Sequence, residues 1–286
     1  MRGDAQPNSA KLVRFLKFIL QMQTEKSVKH EERINKFTQL VHGKWVAWSC
    51  CPFEESVASS KSADAVVPLF SVITPVYNPP IDAFEASIES VFAQTHADWD
   101  WCLVDDGSTD PQIRKIMERL ARKDKRVRIM FRPKNGGIVA ASQDALDIAT
   151  GEFIAFLDND DTLHPNALSL VATTLADDPT VDYVYSDENK INEKGRPYDL
   201  FRKPAFDPIR LLGQNYCSHF SVIRSSLIDE VGGFRTGFEG SQDYDLILRI
   251  TERARTIAHI PEVLYHWRAI PGSAAIQLDA KPYALI

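Results

Sequence analysis

The chain has 286 residues, 44% of them apolar and 25% charged, which is enough for one substantial core and a small appendage. A formal net charge of −6 excludes the global basic footprint of a nucleic-acid binder, and no apolar run approaches the roughly 20 residues that span a bilayer. The four cysteines show no CxxC pair or zinc spacing, and the first ten residues lack a signal peptide's apolar core, so the reading is a cytoplasmic chain with reduced thiols.

Residues 1–66 read unlike the rest. KLVRFLKFILQMQ sets Leu12, Phe15, Leu16, Ile19 and Leu20 at helical spacing, with Lys11, Arg14 and Lys17 on other faces. The pattern weakens through Val28, Ile34, Phe37 and Leu40, and EESVASSKSADA then has linker composition. This predicts a helical extension whose residues 11–40 contact the main domain or another subunit. The alternative is a basic amphipathic helix lying on the anionic inner face of the cell membrane.

From residue 67 onward strand-like and helix-like segments alternate. PLFSVITP is a β-branched run stopped by Pro75, and IDAFEASIESVFAQ follows with helical periodicity. DWDWCLVDDGS reads as a second strand, and DPQIRKIMERLARK as a helix with an Asp cap and Pro at its first position. RVRIMFR, EFIAFLD and VDYVYSDE read as further strands. GGIVAASQDALDIATG, closed by Gly151, and HPNALSLVATTLADD read as the helices between them. This rhythm predicts an α/β fold with a mostly parallel sheet flanked by helices on both faces.

Ligands of such sheets bind beyond the carboxyl ends of the strands, and those ends carry acids: Asp105-Asp106, Asp158-Asn159-Asp160-Asp161 and Asp187-Glu188. Three carboxylates within the four residues of DNDD repel one another unless a cation pairs them. Carboxylates bind hard ions such as Mg²⁺ or Mn²⁺, and these in turn bind diphosphates. No GxGxxG or GxxxxGK[ST] loop offers another phosphate cradle, because the first strand runs into TPVYNPP.

VITPVYN, VDDGSTD, NGGIVAASQDAL, FLDNDDTL, GSQDYDL and LYHWR…GS, in this order from about Leu69 to Ala275, resemble the successive motifs of family-2 glycosyltransferases with the GT-A fold. The resemblance implies a nucleotide-diphospho-sugar donor held by Thr74, Pro75 and Tyr77 near the base, with Asp105 or Asp106 reaching its imide N–H or the ribose. A carboxylate facing an imide N–H suits uracil or thymine. Asn135 and Gly136 would lie beside the nucleotide.

In the same resemblance Asp158-Asn159-Asp160 is the DxD element. Asp160 would bind Mn²⁺ or Mg²⁺, Asp158 would contact ribose or sugar, and Asp161 would orient either. His266 is a further metal ligand and Arg268 a phosphate fork. Asp243, in the first turn of a helix and preceded by Gln242 where many relatives have an acid, takes the family's base position; Glu239 and Asp187 are the next candidates. Asp245 reads as a structural partner of Arg249 at i+4.

The expectation is a metal-dependent, inverting transfer to a hydroxyl of a glycan or lipid-linked glycan acceptor, with residues 67–286 as the catalytic domain. A nucleotidyltransferase would bring a Gly-rich basic loop early in the chain. A non-catalytic sugar-nucleotide-binding module would need neither Asp160 nor Asp243.

Overall fold

Alternate residues of the first strand serve two different cores. A computed structural model of the chain describes residues 68–269. The extension expected in residues 1–66, and the Gly-Ser that follows LYHWR, lie outside them. The described chain begins with β1 (Phe70–Val76), α1 (Ile81–Phe92), β2 (Trp99–Asp105), α2 (Pro111–Lys123), β3 (Val127–Phe131), α3 (Ile138–Asp147) and β4 (Phe153–Phe156). It continues through β5 (Thr162–Leu163), α4 (Ala167–Asp177), β6 (Val181–Ile191), β7 (Pro197–Phe201), α5 (Pro208–Leu211), β8 (Ser221–Arg224), α6 (Ser225–Val231), α7 (Gln242–Thr251) and β9 (Thr256–Arg268).

Phe70, Val72 and Val76 join Trp99, Trp101 and Leu103 of β2 beneath α1, α2 and α4. Ile73, Cys102, Val104 and Ile154 face the other way, against α3, α6 and α7. The period of two along each strand thus supplies a core on both faces of one sheet.

The sheet runs β3-β2-β1-β4-β8-β6-β9-β5, with β7 paired to the outer part of β6. β1, β2, β3 and β4 are mutually parallel. β8 lies antiparallel between β4 and β6, so β6 recovers the direction of β4, and β9 runs parallel to β6. The carboxyl ends of β1, β2, β4 and β6 therefore share one edge, as the alternation of elements implies.

Two details differ from the sequence reading. β1 runs through Pro75 to Val76 instead of stopping at the proline. The Ile73 carbonyl still accepts from Leu157, but pairing with β4 ends at Phe156. Pro75 therefore faces a side of β1 where no ladder donor is needed, and its carbonyl accepts from the Asn159 side chain at 2.8 Å. The second difference is α3, which ends at Asp147, before the expected stop at Gly151. Gly151 lies directly under β1: a Cβ there would stand 2.4 Å from the Ser71 nitrogen. It is a close-approach glycine, while Ile148 caps the helix.

At the opposite edge Asp182, the second residue of β6, joins the last strands. Arg255, just ahead of β9, and Arg224, at the end of β8, both donate to it. Hydrogen bonds from Arg255, then from Arg224, hold its carboxyl down at about 2 against burial. Because the folded-state value lies below the unfolded one, this contribution is complete above about pH 4 and is lost as pH falls toward 2. We expect Asp182→Asn to cost on the order of 2 kcal/mol at pH 7. The deficit relative to wild type should shrink across that acid window in urea titrations at stepped pH.

Candidate active site

The DNDD turn is built by the strand that ends the described chain. β5 pairs with β9, placing Thr162 opposite His266 and Leu163 opposite Tyr265. The Tyr265 hydroxyl donates to Asp161 Oδ2 at 2.6 Å and accepts from the Asp158 N–H. The Arg268 N–H donates to Asp161 Oδ1 at 2.7 Å, and Arg268 Nε donates to the Asp160 carbonyl at 2.7 Å. Asp161 is buried, and burial pushes its carboxyl well above the usual carboxylate range. The neighbouring Asp160 and Asp158 push it the same way. Asp161 is thus the internal post of the turn, and Asp158 and Asp160 border a cavity of about 780 Å³.

Asp243 borders that cavity from the other side, on the first turn of α7. Asn215 donates to its Oδ2 at 2.9 Å. Two residues on, Asp245 turns inward and pairs with Arg249, as expected, and with Arg235. Burial raises its carboxyl, but the two arginines outweigh that and hold it below the usual range. Arg249 also donates to the Val231 and Gly233 carbonyls, tying α7 to the end of α6. The alternating QDYD therefore presents one acid to the cavity and anchors the helix with the other.

The loops after β1 and β2 are stitched together. The Asn78 side chain accepts from Thr109, and Ser108 accepts from the Asn78 N–H. Asp105 accepts from the Ser108 N–H at 3.1 Å. Asp106 is buried and accepts from the N–H groups of Gly136 and Gly137, both at 2.8 Å, while pairing with Arg132. It sets the NGG loop, so its two oxygens are engaged with protein donors. Asn135, on that loop, is exposed and caps Gly137. Thr74 is fully buried and accepts from the Trp101 indole at 3.0 Å. Of the first-strand group, Pro75 borders the cavity and Tyr77 is exposed beyond the strand end.

The other expected site residues are distributed less directly. Asn159 fixes the turn to β1 through Pro75. Arg268 is 6% exposed and acts on the turn from behind, through Asp160 and Asp161. His266 shares a hydrogen bond with Asn189 at 2.8 Å; burial, then His164, lowers its pKa, which keeps the ring neutral at pH 7. Asp187 accepts from the Lys203 N–H and bonds His259, a structural placement. Glu239 is exposed and accepts from the Gly237 N–H.

Among the described residues no three His, Cys, Asp or Glu side chains lie close enough to hold a metal between them. Asp158 and Asp160 offer the hard oxygen donors that a Mg²⁺-type ion would take, and such sites commonly use only one or two carboxylates. The cavity also draws on Asn215 and His219, which no motif marked, and on Glu188 and Trp267, which stood in quoted segments without a role. His219 stacks on Tyr265 with centroids 4.5 Å apart and leans toward Trp267. Among the described residues no helix is long and apolar enough to cross a membrane.

The family model "Glycosyl transferase family 2" matches residues 71–232. The O-antigen biosynthesis protein RfbC of Myxococcus xanthus is 36% identical over 234 residues, which is 80% of this chain and 18% of that protein. Two solved structures share the fold. TarS 1–349 of S. aureus in complex with UDP-GlcNAc has a TM-score of 0.61 at 23% identity, over 72% of this chain and 60% of that one. The mannosyltransferase PcManGT of Pyrobaculum calidifontis, in complex with GDP-Man and Mn²⁺, has a TM-score of 0.54 at 20% identity, over 70% and 57%. The sheet and its helices are therefore of the GT-A type. The chain spans about a quarter or less of the length of the first curated relatives it matches.

Replacing Asp106 with Ala leaves Arg132 and two loop N–H groups facing an empty position. Arg132 keeps its pair with Asp144, so the loss is chiefly that of hydrogen bonds to a charged acceptor, on the order of 2 kcal/mol. We expect a loss of that order in urea unfolding, together with faster amide exchange at Gly136 and Gly137.

Proposed function

Because the chain belongs to glycosyl transferase family 2, we propose that it is an inverting glycosyltransferase. It takes a sugar from a nucleotide-diphospho-sugar of UDP or dTDP type to a hydroxyl of a glycan or lipid-linked glycan acceptor. The setting is synthesis of a cell-surface polysaccharide or O-antigen-type glycan. One observation carries the reading: Asp243, on a helix, and the Asp158–Asp160 turn, after a strand, border the same cavity at the carboxyl edge of the sheet. The UDP-GlcNAc complex of the TarS neighbour and the O-antigen role in the RfbC name support the donor and product classes.

In this reading the donor's base and ribose lie over the stitched loops, near Pro75, Tyr77, Asp105, Asn135 and Gly136. Asp106 and Thr74 act from beneath, by holding the NGG loop and the β1–β2 pair. Asp160, with Asp158 beside it, would hold a Mn²⁺ or Mg²⁺ ion, which would supply Lewis-acid stabilisation of the departing diphosphate. Arg268 keeps the Asp160 backbone in place, and the neutral ring of His266 stands behind the turn as a candidate ligand. Asp243 takes the proton of the acceptor hydroxyl as that oxygen attacks the anomeric carbon. A single base and one in-line displacement invert the anomeric centre, with no carboxylate nucleophile. Residues 67–286 form the catalytic domain, and residues 1–66 are an appended helical extension that contacts a subunit or a membrane surface.

Two variants separate the roles. Asp243→Asn is expected to keep UDP affinity within a few-fold while transfer falls by roughly 10²–10⁴-fold, the loss of a transition-state interaction. Asp160→Ala is expected to lose the Mn²⁺-dependent part of thermal stabilisation by UDP. Near-normal transfer by Asp243→Asn would remove it as the base. Deleting residues 1–66 is expected to leave UDP binding unchanged in calorimetric titrations; loss of binding by a folded truncation would place the domain boundary elsewhere.

A further inference from the structure

Most of the large apolar side chains exposed among the described residues gather around the mouth of the cavity. Tyr198 and Leu200 lie on β7, Ile209 and Leu212 on α5 and its end, and Phe238 in the loop before α7. Leu200 borders the cavity itself, and Tyr198 pairs with Lys190, which borders it too. Leu212 is two residues from Gln214 and Phe238 two from Gly240, both on the cavity's border. The presentation on α5 is fixed. Asp207 accepts from the Ile209 and Arg210 N–H groups, the Tyr244 hydroxyl donates to the Leu211 carbonyl, and the Leu211 side chain is buried. With Leu211 turned inward, Ile209 and Leu212, three positions apart, stand outward at 76% and 70% exposure. Apolar side chains clustered in this way amid polar ones mark a contact with another molecule or with a membrane.

The charge among these side chains selects between the two. Arg196, Arg202 and Arg210 are exposed, and none of them is ion-paired with an acid among the described residues. Arg210 hydrogen-bonds Gln214 and lies over the Tyr216 ring, which leaves its charge unneutralised. The acids of the same rim are largely taken up. Asp199 is ion-paired with Lys190, Asp207 accepts from the α5 N–H groups, Glu239 accepts from the Gly237 N–H, and Glu193 stands beside Lys194. The rim is thus cationic in a chain whose net charge is −6. Apolar side chains that enter the headgroup region, beside cations that meet anionic phosphates, are the two contributions by which a protein surface binds a bilayer. A second copy fits less well: a two-fold contact through this rim would set the same arginines against themselves and cover the cavity.

We propose that the rim formed by β7, α5 and the loop before α7 is a docking surface for an anionic bilayer, entered by Ile209 and Leu212 and held by Arg196, Arg202 and Arg210. The proposal rests on the transferase reading, in which this cavity is where donor and acceptor meet. Docked through its rim, the cavity opens at the bilayer surface, so the acceptor it serves is a lipid-linked glycan and not a free one.

The test sediments the full chain with vesicles of phosphatidylcholine alone, or of equal parts phosphatidylcholine and phosphatidylglycerol. Wild type is expected to bind the mixed vesicles at least about tenfold more tightly, an advantage that shrinks as salt is added. Two double variants, Ile209→Ser with Leu212→Ser and Arg196→Gln with Arg202→Gln, are each expected to weaken that binding roughly tenfold. Their UDP affinity in calorimetric titration is expected to stay that of wild type, which reports that each is folded. A wild-type chain that binds UDP but sediments with neither vesicle, or equally with both, overturns the docking surface alone. So does unchanged binding by either double variant, which assigns membrane affinity to another part of the chain. Lipid-free self-association in analytical ultracentrifugation, abolished by the Ile209 and Leu212 changes, overturns it in favour of a contact between copies. A wild-type chain that binds anionic vesicles but not UDP overturns the transferase reading, and the lipid-linked acceptor with it.

Discussion

A single buried carboxylate organises the edge of the sheet on which everything else is mounted. Asp161 sits out of solvent and receives the hydroxyl of Tyr265 and the N–H of Arg268, both from β9, more than a hundred residues along the chain. A carboxyl group in such a position must find hydrogen bonds or destabilise the fold. Here the requirement welds the turn after β4 to a strand on the far side of the β8 insertion. With that weld in place, Asp158 and Asp160 come to border the cavity. The acids of DNDD therefore divide into one that folds the turn and two that the turn displays.

The same division recurs wherever acids cluster on this edge. Asp106 holds the loop of Gly136 and Gly137, while Asp105 keeps the turn that follows β2. Asp245 anchors α7 through Arg249 and Arg235, while Asp243 is presented. Asp187 is absorbed by Lys203 and His259. A site rich in like charge stays folded because most of its carboxylates, Asp105, Asp106, Asp161, Asp187, Glu188 and Asp245 among them, find donors within the chain.

This explains what could be read from the sequence and what could not. The alternation of β1 through β4 with α1 through α3 was legible because each element carries its own period, and Asp110 and Pro111 announced a helix start that the structure keeps. The shared strand edge followed from it. Which acid on that edge faces inward was not legible: neighbouring residues in a turn follow no period, and the partners that settle the matter, Tyr265 and Arg268, are remote in sequence. Thr74 was placed near the base by the family resemblance alone; its side chain is buried and accepts from the Trp101 indole, a partner no local pattern announces. Asn215 gave no signal at all, since an isolated Asn in a loop has no pattern to betray it. The short strands β5, β7 and β8 were equally silent, because each is defined by its partner and not by its own composition.

β3 stands at one end of the described sheet, five residues long, with one ladder edge beyond β2. An open edge of that kind is a template on which a second chain can pair. Arginines flank and punctuate it: Arg126 and Arg132 stand just outside, Arg128 reaches across to the Ile148 carbonyl, and Arg114 covers the ring of Phe131 at 4.1 Å. Each of the three flanking arginines is held by acids of its own chain: Arg126 by Asp124, Arg128 by Asp100, and Arg132 by Asp106 and Asp144. The border of β3 is thus laced by ion pairs to β2, α3 and the loops beside them, and a charge-removing change at Arg126, Arg128 or Arg132 would loosen the ties that hold this end strand to the sheet.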